Sequence, residues 1–206
     1  MKTYDMQQRT LDWYKVKVGK FSASSASDLM TPKGEISKSQ SAKELSFKKA
    51  GEILAGELQD TGPSTYAMRR GIDMEPEAFD FHVMSEGIEH TYVGFIEDDA
   101  GNMGVSPDAL LGDDGVLELK CPLRHTHVAY GMDHQKLISQ YYAQVQMQML
   151  VCERDWTHLM SYDPKLQPII LRIGRDDDYI KKLSSALDAA IELRDEIVQE
   201  LRGRGW

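Results

Sequence analysis

The sequence predicts an α/β protein built on a central mixed β-sheet flanked by helices. Three observations carry this expectation. Short apolar runs bounded by turn residues cluster between about residues 91 and 120, and again between about 155 and 173. Longer stretches with apolar residues at helical spacing precede, separate and follow them. Helices, a group of strands, a helix, two more strands and a final helix suit a sheet covered by helices. With 206 residues, the chain is expected to form one unit over 1–206 with a substantial core. It divides into an N-terminal helical part (about 1–87), a sheet-containing core (about 88–175) and a C-terminal helix (about 176–201).

The opening LDWYKVKVGKFSASSASDLM passes from an amphipathic stretch into small hydroxyl residues and then a short helix. TPKGEISKSQ, residues 31–40, reads as an exposed loop from its Pro, Gly and Ser content. A helix is expected from about Ala42 to Leu58, with Leu45, Ile53, Leu54 and Leu58 as its apolar positions. DTGPST breaks the chain, and a second helix spans about Met68 to Met84, ended near Gly87. TYVGFI, NMGVSPDALL and GVLELK are strands, the last two joined by GDDG as a hairpin turn. A helix from about His134 to Val151 turns Ile138, Tyr142, Val145 and Met149 to the core. DWTHLMSY and QPIILRI alternate like strands around the turn signal DPK, and Asp176 to Leu201 form a long surface helix.

Hydrophobic residues make up 41% and charged residues 28%, as in soluble globular proteins. No apolar run is long enough to cross a bilayer, and MKTYDMQQRT lacks the apolar stretch of a secretory signal. Cys121 and Cys152 lie in apolar contexts and read as reduced, buried thiols of a cytoplasmic protein. The net charge of -9 argues superficially against a polyanionic partner, but its distribution is uneven. Residues 1–60 hold ten Lys/Arg against eight Asp/Glu, so the excess acid lies in the rest of the chain. Within that part, Lys33, Lys38, Lys43, Lys48 and Lys49 face only Glu35 and Glu44. Such a run is either a solvated helix face or a local basic face able to contact phosphates.

The chemistry concentrates in GVSPDALLGDDGVLELKCP, residues 104–122. In a strand, Glu118 and Lys120 share one side while Leu117 and Leu119 point into the core. Their Cα atoms stand about 6.5–7 Å apart. The GDDG turn folds the chain so that Asp108 returns beside Glu118, bringing two carboxylates and a lysine to one sheet edge. Two hard oxygen ligands beside a cation suit Mg²⁺, which takes few protein carboxylates and keeps several waters. A lysine there can orient or deprotonate a water and stabilise charge developing on a phosphate. E-x-K alone is usually a half-exposed ion pair; the PD ten residues upstream, in an apolar frame, reverses that reading.

Two helices add candidates. In AMRRGIDMEPEAFDFHVM, helical spacing puts Ile72, Glu75, Phe79 and His82 on one stripe. A carboxylate among apolar neighbours needs compensation that a metal site supplies. A surface Glu75, with Glu77 inward instead, is the competing reading. SQYYAQVQMQMLV puts Tyr141, Gln144 and Gln148 on another stripe. These glutamines either bond neighbouring backbone, or Gln144 holds a phosphate or a water at the metal.

PD, nine residues and E-L-K resemble the PD-(D/E)xK nuclease signature. Together with KVGKFSASSAS, YYAQVQMQM and SYDPK, the motif resembles the phage lambda exonuclease, or YqaJ-type viral recombinase, family in order from about Trp13 to Tyr179. The resemblance implies a restriction-endonuclease-like core in which Asp108, Glu118 and the backbone carbonyl of Leu119 bind Mg²⁺, with Mn²⁺ able to substitute. Lys120 then positions or activates the attacking water, Glu75 assists the metal site and Gln144 completes the centre. It further implies 5′→3′ digestion of one strand of linear duplex DNA, releasing mononucleotides and leaving 3′ overhangs for recombination by strand annealing. A homotrimeric ring around DNA, a single-strand annealing partner and action in the bacterial cytoplasm, with no membrane, follow from the same likeness.

Ser22 and Ser24 are then expected near a pocket for the 5′ phosphate, with Tyr141 close to the DNA. Lys17 stands where relatives carry arginine and lacks the bidentate guanidinium fork, so Arg9 or a loop lysine is a further contributor. A solvated Lys17 and a helix-capping serine are the plainer readings of these residues. The alternatives for the whole chain are a restriction-like or structure-specific endonuclease, and a non-catalytic DNA-end-binding recombination protein. Cys121, His125 and His127 lack a fourth zinc ligand at a familiar spacing, and the histidines read as surface groups. Trp13 and Trp156 read as core residues.

Overall fold

Pro107 divides what the sequence suggests is one sheet into two. The computed structural model describes residues 1–31, 33–59 and 65–206. In chain order the strands are β1 (Lys2–Tyr4), β2 (Phe21–Ser22), β3 (His90–Thr91), β4 (Phe95–Glu97), β5 (Met103–Val105), β6 (Ala109–Leu111), β7 (Gly115–Lys120), β8 (Trp156–Ser161) and β9 (Ile169–Gly174). The helices are α1 (Leu11–Val16), α2 (Ala26–Leu29), α3 (Gln40–Ala55), α4 (Tyr66–Glu86), α5 (Arg124–Met132), α6 (His134–Cys152) and α7 (Asp177–Gly203). The first sheet runs β1-β4-β5-β2 and the second β3-β6-β7-β8-β9. The stretch NMGVSPDALL, expected as one strand, supplies β5 to the first sheet and β6 to the second. Proline has no N–H to continue a ladder, so the chain changes sheets there and Asp108 sits just past the crossing. The helix-flanked mixed α/β architecture is otherwise as expected.

The GDDG turn closes an antiparallel hairpin in which Ala109 faces Leu117 and Leu111 faces Gly115. β7 then pairs in parallel with β8, which requires a long crossover. α5 and α6 supply it. α6 packs on β4 and β5 of one sheet and on β7 and β8 of the other. It is therefore buried on most of its circumference, including Val145, Met147, Met149 and Val151. A single core face was the expectation; its position between two sheets explains the difference.

Ser39 and Thr65 cap α3 and α4 with their side chains, and Gly56 and Gly87 end them in the left-handed conformation. The predicted break DTGPST lies outside the described residues except for Thr65. α7 buries Leu183, Leu187 and Ala190, and the hydroxyl of Ser46 on α3 donates to the Ala190 carbonyl at 3.0 Å. Among the described residues no helix is long and apolar enough to cross a membrane.

The structure corrects the readings of Lys49, His127 and Trp13 and agrees with those of the cysteines and Trp156. Lys49 does not belong to a solvated basic face: it is buried and bonds Glu52 at 2.9 and 3.1 Å. Glu35 instead pairs with Lys182 of α7. His127 is buried, bonded to the Ser161 hydroxyl at 2.8 Å and the Gln167 carbonyl at 3.1 Å, because α5 lies against the ends of β8 and β9. Both cysteines are free and buried, and burial pushes each thiol up to about 12. Trp156 belongs to the core, whereas Trp13 is half-buried.

Three histidines tie α4 to the second sheet. His90 Nδ1 must donate to the Ile88 carbonyl at 2.7 Å. With one proton on each ring, its Nε2 accepts from His82 Nδ1 at 2.7 Å, and His82 Nε2 accepts from His158 Nδ1 at 3.0 Å. Burial, followed by the neighbouring His158 and His90, lowers His82 from 6.5 to about 4. The unfolded chain takes up this proton first, so the contribution to stability is lost as pH falls through that window. Urea unfolding should show a larger loss between pH 6.5 and pH 4.5 in the wild type than in His82→Phe. In Gly115→Ala the new Cβ would meet Trp156 Cζ2 at 2.4 Å. Such overpacking is expected to destabilise by about 1–3 kcal/mol in the same measurement.

Candidate active site

Strand register brings the paired carboxylates together. One step beyond the Ala109–Leu117 pair, Asp108 lies opposite Glu118, and cross-strand neighbours share a face. The Asp108 N–H donates to the Leu117 carbonyl at 3.0 Å, and Asp108 Oδ2 accepts from the Leu119 N–H at 2.6 Å. These two bonds fix the carboxyl group at the end of the hairpin. Burial, then the Glu118 charge, holds Asp108 well above the usual carboxylate range, with Glu75 adding to the effect.

Glu118 is 5% exposed and takes three donors. Lys120 Nζ and Gln144 Nε2 each reach Oε1 at 2.5 Å. Gln148 Nε2 reaches Oε2 at 2.5 Å. Lys120 also donates to Gln144 Oε1 at 3.2 Å and lies 4.4 Å from the centre of the Tyr141 ring. Burial alone lowers the lysine's proton affinity, but Glu118, Asp108 and Glu75 outweigh it and keep Lys120 an ammonium. Leu117 and Leu119 are buried on the opposite side of β7.

A cleft of about 350 Å³ opens beside this group, with Arg9, Glu75, Tyr92, Asp108 and Leu119 in its wall. α4 delivers Glu75, which Arg9 Nη2 grips at 2.5 and 2.8 Å. Glu77, the competing inward residue, instead accepts from the Tyr162 hydroxyl at 2.9 Å. The structure thus unites Asp108, Glu118, Lys120, Gln144 and Tyr141 directly and Glu75 across the cleft.

Ser22 and Ser24 lie side by side, and Lys17 packs on Trp13. Ser22 pairs with Gly104 of β5, four residues before Asp108. Its hydroxyl lies 3.1 Å from that of Ser24. Lys17 Nζ lies 3.5 Å from the centre of the Trp13 ring. The indole N–H of Trp13 donates to the Ser106 hydroxyl at 2.9 Å. Burial, then the charge of Lys49, lowers Lys17 to about 8. Arg9 at Glu75, Ser106 and the grip of Gln148 on Glu118 are contacts not assigned from the sequence. The repeated glutamines of AQVQMQM were the available signal for the last.

Mg²⁺ fits this donor set. Two hard carboxylates meet there, and a cation between them would relieve the repulsion from Glu118 that raises Asp108. Among the described residues no three His, Cys, Asp or Glu side chains gather to hold an ion unaided. One or two carboxylates with retained waters is the way Mg²⁺ is usually held.

The chain matches the sequence model of the YqaJ-like viral recombinase domain over residues 12–155. Its structure is similar to that of an alkaline exonuclease (LHK-Exo) from Laribacter hongkongensis, at 30% identity and a TM-score of 0.85 over 95% of this chain and 98% of that one. The complex of that exonuclease with dAMP matches with the same figures. A phage-related exonuclease from Haemophilus somnus 129PT shares the fold at 16% identity, with a TM-score of 0.72 over 88% of this chain and 96% of that one. No curated protein sequence matches. The shared architecture is the restriction-endonuclease-like α/β core.

The crowded carboxylates carry a stability consequence. A carboxyl whose folded value is raised destabilises the fold once it is ionised. Asp108→Asn keeps an oxygen for the Leu119 N–H and removes the charge. In chelator at pH 7 its melting temperature should exceed that of the wild type, by about 2–4 °C for each kcal/mol of repulsion relieved.

Proposed function

The chain belongs to the YqaJ-like viral recombinase domain family, and from that premise we propose that it is a Mg²⁺-dependent 5′→3′ exonuclease acting on linear double-stranded DNA. The observation that carries the reading is the cross-strand Asp108–Glu118 pair with the Lys120 ammonium on Glu118. The likeness to an alkaline exonuclease at 30% identity supports the chemistry, and that protein's complex with dAMP supports release of mononucleotides.

Asp108, Glu118 and the Leu119 carbonyl would hold the cation, with Glu75 assisting after release from Arg9. When bound, Mg²⁺ supplies Lewis-acid polarisation of the phosphoryl group and a more acidic water. Lys120, charged and braced by Gln144, orients the attacking water and donates to the phosphate oxygen on which charge develops. The Tyr141 ring backs the ammonium on its apolar side. Lys17, Ser22 and Ser24 receive the 5′ phosphate: hydroxyl donors and a lysine suit that group, although lysine offers a point charge in place of a fork. Strand annealing after resection, a single-strand annealing partner and a homotrimeric ring complete the proposal; an acidic exterior with a basic lumen would reconcile the charge of -9 with DNA. Cytoplasmic action accords with two free, buried cysteines.

Digestion of end-labelled duplex tests the proposal. Wild-type protein should degrade linear DNA from the 5′ end, spare closed circles, stop in chelator and resume with Mg²⁺ or Mn²⁺. Lys120→Ala should lose about 100- to 1,000-fold in rate while still retarding DNA in a gel shift. Asp108→Ala should be inactive. Removing the 5′ phosphate should slow initiation; an unchanged rate removes Lys17, Ser22 and Ser24 from the phosphate site. Cleavage of closed circles would exclude an exonuclease, and sedimentation as a monomer would exclude the ring.

A further inference from the structure

We infer that Gln148 is a positioning residue that leaves one oxygen of Glu118 free for the cation, an inference that rests on the metal-dependent reading above. An ionised carboxylate offers about four acceptor positions, two on each oxygen. Lys120 and Gln144 occupy both on Oε1. Gln148 occupies one on Oε2. The remaining position, on Oε2, is the one through which Glu118 can meet a divalent ion, and Gln148 determines which way that oxygen faces.

The hydrogen-bond inventory of α6 separates Gln148 from an ordinary core glutamine. Gln146, two residues earlier, is engaged at both polar atoms: its Nε2 donates to the Gly174 carbonyl at 3.0 Å and its Oε1 accepts from the Asp176 N–H at 2.9 Å. Gln148 is 1% exposed, yet its Oε1 has no hydrogen-bond partner. An unpaired buried carbonyl is destabilising, so packing favours an apolar side chain here. The amide's one engaged group is the N–H donor on Glu118. Turning the amide over would set Oε1 against a carboxylate oxygen, so the orientation is fixed by charge. Partners behind a metal ligand typically affect affinity by about 10- to 100-fold when removed.

The test is Mn²⁺ titration of the full chain without DNA, followed by calorimetry or by the spin-resonance signal of free Mn²⁺. Gln148→Met keeps length and volume while removing the donor. Its affinity for Mn²⁺ should fall at least about 10-fold, with circular dichroism unchanged. In the double variant with Glu118→Gln, the change at Gln148 should cost nothing further, because its effect runs through Glu118. Affinity within twofold of wild type, or a full additive loss in the double variant, overturns the inference. Should Gln148→Met not fold, Gln148→Leu carries the same comparison. Wild-type protein that binds no Mn²⁺ overturns the metal reading itself and the inference with it. Normal wild-type binding with an unaffected Gln148→Met overturns the inference alone.

Discussion

Holding Asp108 and Glu118 side by side is the constraint around which the second sheet is organised. Two carboxylates in adjacent cross-strand positions repel, and burial strengthens that repulsion by removing water. The fold meets it with backbone bonds on Asp108 and three donors on Glu118. None of these groups removes the surplus negative charge. A site that is electrostatically unfavourable when empty is suited to a divalent cation, and loss of stability is the ordinary accompaniment of such preorganisation.

That arrangement depends on α6 reaching the centre of the molecule. A parallel β7–β8 pair requires a crossover, and this chain routes it between the two sheets. The helix thereby delivers Tyr141, Gln144 and Gln148 to β7 while its apolar residues fill the space on either side. Gln146 secures the far end of the crossover by bonding the segment that joins β9 to α7. One helix thus joins the packing of the domain to the geometry of the carboxylates. Proline at 107 completes the scheme, because the change of sheet there starts β6 immediately after Asp108.

Most of the helices and the later strands were legible because they are long and strongly periodic. α6 and α7 begin within a residue of where the pattern puts them, and β8 and β9 follow their alternation. The hairpin was legible from GDDG, and with it the meeting of Asp108, Glu118 and Lys120. Local pattern could not reveal that NMGVSPDALL serves two sheets, since each three-residue half resembles strand on its own and only the missing proline N–H marks the boundary. The burial of Lys49 was equally hidden: its partner Glu52 lies outside the basic run and is drawn inward by the Gly19 N–H at 3.1 Å. For His127, tertiary contacts with Ser161 and Gln167 override the polar character of its surroundings in sequence.

Arg9 shows why the sequence signal for Glu75 was weaker than its position warrants. Helical spacing puts Glu75 on a stripe with apolar residues, which is an argument about α4 alone. Its charge is met by an arginine from before α1, held in a left-handed backbone conformation at φ 65°. Few residues other than glycine adopt that conformation, and here it accompanies the ion pair with Glu75. The pair spans the cleft that Asp108 borders. A third carboxylate left unpaired there would add to the repulsion already borne by Asp108, and the guanidinium offsets that charge.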